Sequence, residues 1–168
     1  MKSKRKVRFL NLTVNDSQER ADFQETLIRC LNHGQLVMGE EITNLEKLLA
    51  DYVGRGRCIS VSSGTDALFL ALKGIDIKPG DEVITSPLSW IATANAIKMA
   101  GGVPVFCDIQ DDLNIDSSSI EKVISKKTKA ILSVDYTGNM ADYNALQRIT
   151  EKHGVKLVED GSQSFGAS

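Results

Sequence analysis

Ser63-Gly64-Thr65-Asp66 stands where a short strand-like run turns into an apolar helical stretch. Backbone N–H groups at such a helix start, helped by the Thr65 hydroxyl, can hold a phosphate against the positive end of the helix dipole. Ser and Thr also cap helices where no ligand binds, so the turn by itself fits either role. It is neither G-x-G-x-x-G nor a Walker A loop, and the glycine fingerprints of nucleotide folds do not apply. Asp160 follows apolar Leu157 and Val158, where a carboxylate is partly desolvated unless a cation meets it. A protonated pyridine nitrogen would be such a partner, and an ionised Asp would keep that ring ready to accept electrons from a breaking C–H bond. The plainer role for Asp160 is to cap the turn over Gly161. Trp90, the only tryptophan, could stack on a planar ring or pack in a core. Gln163 could donate to a ring oxygen or sit solvated in a loop.

These residues need elements to position them, and the pattern supplies an alternating set. Apolar residues recur at helical spacing over Phe23–His33 and Glu40–Tyr52, with Gly34 and Gly54 as stops. Cys58-Ile59-Ser60-Val61 reads as a strand, followed by the turn at Ser63 and a buried helix over 67–72. Pro79-Gly80-Asp81 feeds a strand at Glu82–Thr85, a helix follows over Ile91–Ala100, and Val103–Cys107 is the next strand. Pro104 denies that strand a ladder donor, which suits its start or a sheet edge. Asp116 can cap a helix through Ile124, Ala130–Val134 is a strongly apolar strand, Asp142 caps a helix ending at Gly154, and Lys156–Glu159 is the last strand.

About five strands alternating with helices predict an α/β fold, a mostly parallel sheet covered on both faces in three layers. No linker, repeat or low-complexity tract interrupts it, so residues 1–168 read as one domain, a helical segment over 1–56 and a sheet core over 57–168. Ligands of open parallel sheets bind beyond the carboxyl ends of the strands. The residues there are Ser63–Asp66, Ser86–Trp90, Asp135–Asn139 and Asp160–Gln163.

Composition excludes several classes of function. The 168 residues are 42% hydrophobic and 25% charged with a formal net charge of -2, and no basic stripe tracks a nucleic-acid backbone. No apolar run approaches a membrane span and no signal-peptide core follows the basic start, which predicts a cytoplasmic protein. Cys30, Cys58 and Cys107 lack any C-x-x-C spacing and read as three buried thiols, with neither metal nor disulfide expected.

Ser63-Gly64-Thr65-Asp66-Ala67-Leu68, Pro79-Gly80-Asp81-Glu82-Val83-Ile84, Ala92-Thr93-Ala94-Asn95-Ala96, Gly102-Val103-Pro104-Val105-Phe106 and Glu159-Asp160-Gly161-Ser162-Gln163 together resemble the DegT/DnrJ/StrS family of nucleotide-sugar aminotransferases. The likeness begins near Val7, includes Met38-Gly39, and runs to Gly166-Ala167. It implies part of the large domain of a fold-type I, aspartate aminotransferase-like enzyme using pyridoxal 5'-phosphate (PLP) and its pyridoxamine form (PMP). By the same resemblance Gly64, Thr65 and Asp66 hold the cofactor phosphate, Trp90 stacks on its ring, Asp160 pairs with the pyridine nitrogen and Gln163 approaches the ring hydroxyl. It further implies a homodimer in which an amino acid, commonly glutamate, aminates the cofactor, and a keto nucleotide sugar then takes the amine. Where many members carry His after the fourth strand, this chain has Asp135, followed by Tyr136-Thr137-Gly138.

Transamination needs a Lys that forms the Schiff base. The resemblance puts it beyond Ser168, so no catalytic residue is assigned within these residues; Lys73, Lys98 and Lys129 fall on helices or before strands. The 168 residues are therefore expected to be a front half, inactive alone and prone to associate. Two further functions fit the same residues. Relatives with His in place of the Lys act as sugar 3-dehydratases, and a non-catalytic binding or oligomerisation module could keep the fold without the reaction.

Overall fold

The computed structural model describes residues 11–167, whose contacts fall into two compact units divided between Ile59 and Ser60. In the first unit, Asp16 is extended and its side chain accepts the Glu19 N–H at 2.8 Å, starting α1 (Ser17–His33). Apolar spacing predicted a start at Phe23. The cap carries the helix back through the polar stretch 17–22, because a satisfied N-terminal donor rather than an apolar face fixes a helix start. Gly34 closes α1 at φ 70, a left-handed conformation that favours glycine. The second helix, α2 (Glu40–Tyr52), has the predicted bounds. A Cβ at its N-cap, Gly39, would stand 2.7 Å from the Gln35 carbonyl oxygen, so the approach of the two chain segments requires glycine.

Cys30, His33 and Glu41 come together where α1 faces the start of α2, their ligand-type atoms within 4.8 Å of one another. The hydrogen bonding is that of an ion-pair network. Glu41 Oε1 meets Arg29 Nε at 3.1 Å and His33 Nε2 at 3.4 Å. His33 Nδ1 accepts the Gln35 N–H at 3.0 Å, which leaves Nε2 as the nitrogen that carries hydrogen toward Glu41. Glu41's own backbone N–H, then Arg29, holds its carboxyl down to about 2. Of the three thiols only Cys107 is buried; Cys30 and Cys58 are partly exposed, and all three are free. Burial pushes the Cys107 thiol up to about 11.

The second unit runs α3 (Gly64–Gly74), β1 (Glu82–Thr85), α4 (Ile91–Ala100), β2 (Val103–Phe106), α5 (Ser117–Val123), β3 (Thr128–Val134), a 3-10 turn at Tyr136–Gly138, α6 (Tyr143–His153) and β4 (Lys156–Asp160). The strands form one sheet in the order β2-β1-β3-β4, every pair parallel. Four strands stand where about five were predicted. The run Cys58–Val61 joins none of these ladders, and a strand exists only through a partner. Pro104 sits in β2 opposite Val83, on the edge of the sheet, where a missing donor costs least.

Strand alternation sends side chains into two cores, one on each face. Val83, Ala130, Leu132 and Val134 pack with Leu68 and Leu72 of α3 and Ala96, Ile97 and Ala100 of α4. Ile84 and Ile131 pack with Ile120 of α5 and Leu146 of α6 on the other face. Each fully buried Val, Leu or Ile among them contributes roughly 1.5–3 kcal/mol of transfer free energy. Caps set the helix ends: Ser63, Asp116 and Asp142 each accept a first-turn N–H of α3, α5 and α6, and left-handed Gly101 and Gly154 close α4 and α6. The result is the three-layer α/β arrangement that the sequence predicts, with all four strand ends pointing to one side.

Candidate functional site

Parallel pairing puts the carboxyl ends of β1, β3 and β4 along one edge, so the segments that follow them, with the start of α3, form the candidate site. At α3, Ser63 Oγ accepts the Asp66 N–H at 3.1 Å. The Asp66 carboxylate in turn accepts from the hydroxyls of Ser62 and Ser63, which hold its carboxyl below the usual range. One helix-start donor is therefore used internally, while the N–H groups of Gly64 and Thr65 lie at positions with no intrahelical acceptor. Those two are the donors a phosphate would meet.

The turn after β4 reaches this helix start. A Cβ built on Gly64 would lie 3.7 Å from Ser162 Oγ. Ser162 in turn holds Asp160, whose Oδ1 accepts from the Ser162 hydroxyl at 2.5 Å and from its N–H at 3.1 Å. Asp160 is half-buried at the last position of β4. Gln163 is exposed, and its Oε1 accepts the Thr137 N–H at 3.0 Å. With the oxygen so engaged, the amide NH2 is the end of Gln163 that faces other partners. The loop after β3 comes close enough that a Cβ on Gly138 would stand 3.2 Å from the Gln163 carbonyl oxygen, and Gly138 has φ 87. Thr137 beside it also takes a positive φ, 59, an uncommon conformation for a β-branched residue and one often held at functional loops.

Trp90 is the N-cap residue of α4, beyond β1, and is 76% exposed. Among the described residues its ring is not packed in a core, and its carbonyl accepts the Thr93 N–H at 3.0 Å. The structure therefore joins Gly64, Asp160 and Gln163 through Ser162 and the loop after β3. It puts Trp90 in the segment that follows β1, the strand beside β3, with no bond to the others.

Behind the site lies a buried polar frame that sequence reasoning did not assign. Asp135, directly after β3, is fully buried, and its Oδ1 accepts from the Ala141 N–H at 3.0 Å and the Tyr143 hydroxyl at 2.8 Å. Its Oδ2 accepts from the Ser164 hydroxyl at 2.8 Å. Burial, and then Asp135, pushes the Tyr143 phenol far above its ordinary value, so that it stays a donor. Asn114, also buried, accepts the Tyr136 N–H at 3.1 Å and donates to the Asn139 carbonyl at 3.1 Å. An acid directly after an apolar strand marks Asp135 in the sequence as it marks Asp160. Nothing local marks Asn114.

Comparison with known proteins bears on the family and the fold. The profile described as the DegT/DnrJ/EryC1/StrS aminotransferase family matches residues 17–168. A UDP-2-acetamido-2-deoxy-3-oxo-D-glucuronate aminotransferase of Pseudomonas aeruginosa is 39% identical over 163 residues, 96% of this chain and 45% of that protein. The crystal structure of NtdA from Bacillus subtilis with bound PMP matches at TM-score 0.89 and 34% identity, over 99% of this chain and 39% of that one. The Streptomyces venezuelae protein DesV, solved in complex with a ketimine intermediate, matches at TM-score 0.87 and 36% identity, over 89% of this chain and 40% of that one. The chain spans less than half the length of the curated relatives it matches. The fold is that of the fold-type I aminotransferases, whose cofactor is PLP or PMP. By its sequence and its fold alike, the chain belongs to the DegT/DnrJ/EryC1/StrS aminotransferase family.

Proposed function

We propose that the protein is a PLP-dependent aminotransferase that moves an amino group, from glutamate, to a keto-deoxy nucleotide sugar, and that this chain is the cofactor-cradling part of its large domain. The observation that carries the reading is the meeting of the α3 start with the Asp160 turn through Ser162, which puts phosphate donors and a carboxylate at one strand edge. Gly64 and Thr65 offer backbone N–H groups to the cofactor phosphate, with Asp66 fixing the turn through its bonds to Ser62 and Ser63. Trp90 offers an open aromatic face to the ring, Asp160 a carboxylate to the pyridine nitrogen, and Gln163 its NH2 to the ring oxygen. The cofactor supplies the electron sink for breaking a C–H bond. Transamination also needs a Schiff-base lysine, a role given to none of these residues, so they supply the cradle and not the turnover. The complete protein works as a cytoplasmic homodimer.

The test is the complete coding sequence, expressed and incubated with glutamate, PLP and a panel of keto nucleotide sugars. Formation of 2-oxoglutarate with an amino sugar, at a rate that the 168-residue chain lacks, is expected. A dehydrated sugar, or no product from any member of the panel, would overturn the reading.

A further inference from the structure

The fully buried carboxylate of Asp135 touches none of the proposed cofactor contacts, yet it ties together three segments around them. It holds Ala141 and Tyr143 at the start of α6, and it holds Ser164 at the far end of the turn that begins with Asp160. The Asp135 N–H also donates to the Asp160 carbonyl at 3.2 Å. Asp160 and Gln163 therefore sit on a turn fastened at both ends to one residue, through its backbone at Asp160 and through its side chain at Ser164. Between those ends the turn is also held by the Ser164 N–H to the Gly161 carbonyl at 3.0 Å and by the bond of Gln163 to Thr137. Asp135 and Thr137 belong to the same loop after β3, so a shift of that loop moves both anchors of Gln163 together.

We propose that Asp135 is a positioning residue for the cofactor site, acting through Ser164 to set the Asp160–Ser164 turn. This rests on the reading of Asp160 and Gln163 as cofactor contacts. The two sides of the carboxylate give the test. Ser164→Ala cuts the bond to the turn, whereas Tyr143→Phe cuts a bond of similar length to the same carboxylate on the α6 side. A merely structural role makes the two equivalent. A positioning role separates them.

PMP binding to the complete protein and to its two variants is measured by equilibrium dialysis. Thermal unfolding and amide hydrogen exchange over residues 160–165 are measured on the same samples. Ser164→Ala is expected to weaken PMP binding about 5- to 10-fold, the size of one lost hydrogen bond, and to speed exchange over 160–165. Tyr143→Phe is expected to lower the unfolding temperature by a similar amount while leaving PMP affinity within about twofold. Equal loss of affinity in both variants, or an unchanged affinity in Ser164→Ala, overturns the positioning role. Absence of PMP binding by the complete unsubstituted protein would overturn the cofactor reading itself, and this inference with it.

Discussion

At the scale of single residues, the site divides into groups that offer themselves to a ligand and groups that are consumed in holding them. Asp160 belongs to the first kind: Ser162 occupies one of its oxygens, and the other is at the disposal of a partner. Asp160→Asn is therefore expected to fold as the parent does and to weaken PMP binding about 10- to 100-fold, the loss of a charge-assisted bond. Equilibrium dialysis measures this, and an unchanged affinity would remove Asp160 from the ring nitrogen. Asn114 belongs to the second kind. Truncating it to Ala leaves the Tyr136 N–H and the Asn139 carbonyl without their buried partner, at a cost of roughly 1–3 kcal/mol in urea unfolding. Gly64–Asp66, Trp90, Asp160 and Gln163 could be singled out as candidates in the sequence because each lies in a segment that follows a strand-like run. The Asn114 and Ser164 contacts could not be, since they join residues that are 22, 25 and 29 positions apart and no local pattern encodes such a pairing.

At the scale of elements, caps explain more of the boundaries than propensity does. Asp116 shows the mechanism most fully: it caps α5 through the Ser118 N–H at 2.9 Å and accepts from the hydroxyls of Ser119 and Ser118. Those two hydroxyls, Ser119 first, hold its carboxyl far below the ordinary range in the folded state. Folding lowers this value, so the stabilisation is complete above the unfolded value of about 4 and fades as the pH falls below it. Asp116→Ala is expected to cost about 1 kcal/mol at pH 7, with the gap to the parent narrowing by pH 3. Urea unfolding at the two pH values checks both the size and the sign, and a gap that widened in acid would refute the assignment. Apart from the start of α1 and the run 58–61, helices and strands were legible here to within a few residues because Gly34, Gly101, Gly154, Asp116 and Asp142 punctuate them. Cys58–Val61 misled because an apolar, β-branched run predicts a strand, whereas the pairing that makes one comes from elsewhere in the fold.

At the largest scale, apolar side chains are exposed in each unit among the described residues. On α1, Phe23, Leu27, Ile28 and Leu31 are all more than half exposed and, at spacings of three and four, share one face. In the second unit Trp90, Ile91, Phe106 and Phe165 are likewise exposed. A contiguous face such as that on α1 marks an association surface, and a second copy in the proposed homodimer would cover it. The double change Leu27→Glu with Leu31→Glu is expected to shift the protein toward monomer in sedimentation velocity without loss of helix by circular dichroism. An unchanged sedimentation coefficient would take α1 out of the interface. No helix among the described residues is long and apolar enough to cross a membrane. The strand order β2-β1-β3-β4 is the whole-molecule feature least legible in the sequence. Alternating helices and strands fix parallel pairing, but which strand becomes central is decided by packing across both faces.

The central claim is that the strand edge formed by Gly64, Thr65, Asp160 and Gln163, with Trp90 beside it, is a cradle for a phosphorylated pyridine. Comparing PMP with pyridoxamine, which lacks the phosphate, tests it most directly, with equilibrium dialysis against the complete protein as the readout. The account predicts saturable binding of PMP at one site per chain. It predicts binding of pyridoxamine at least about tenfold weaker, because the donors at the start of α3 then have nothing to hold. Equal affinity for the two compounds, or no saturable binding of PMP, would contradict it.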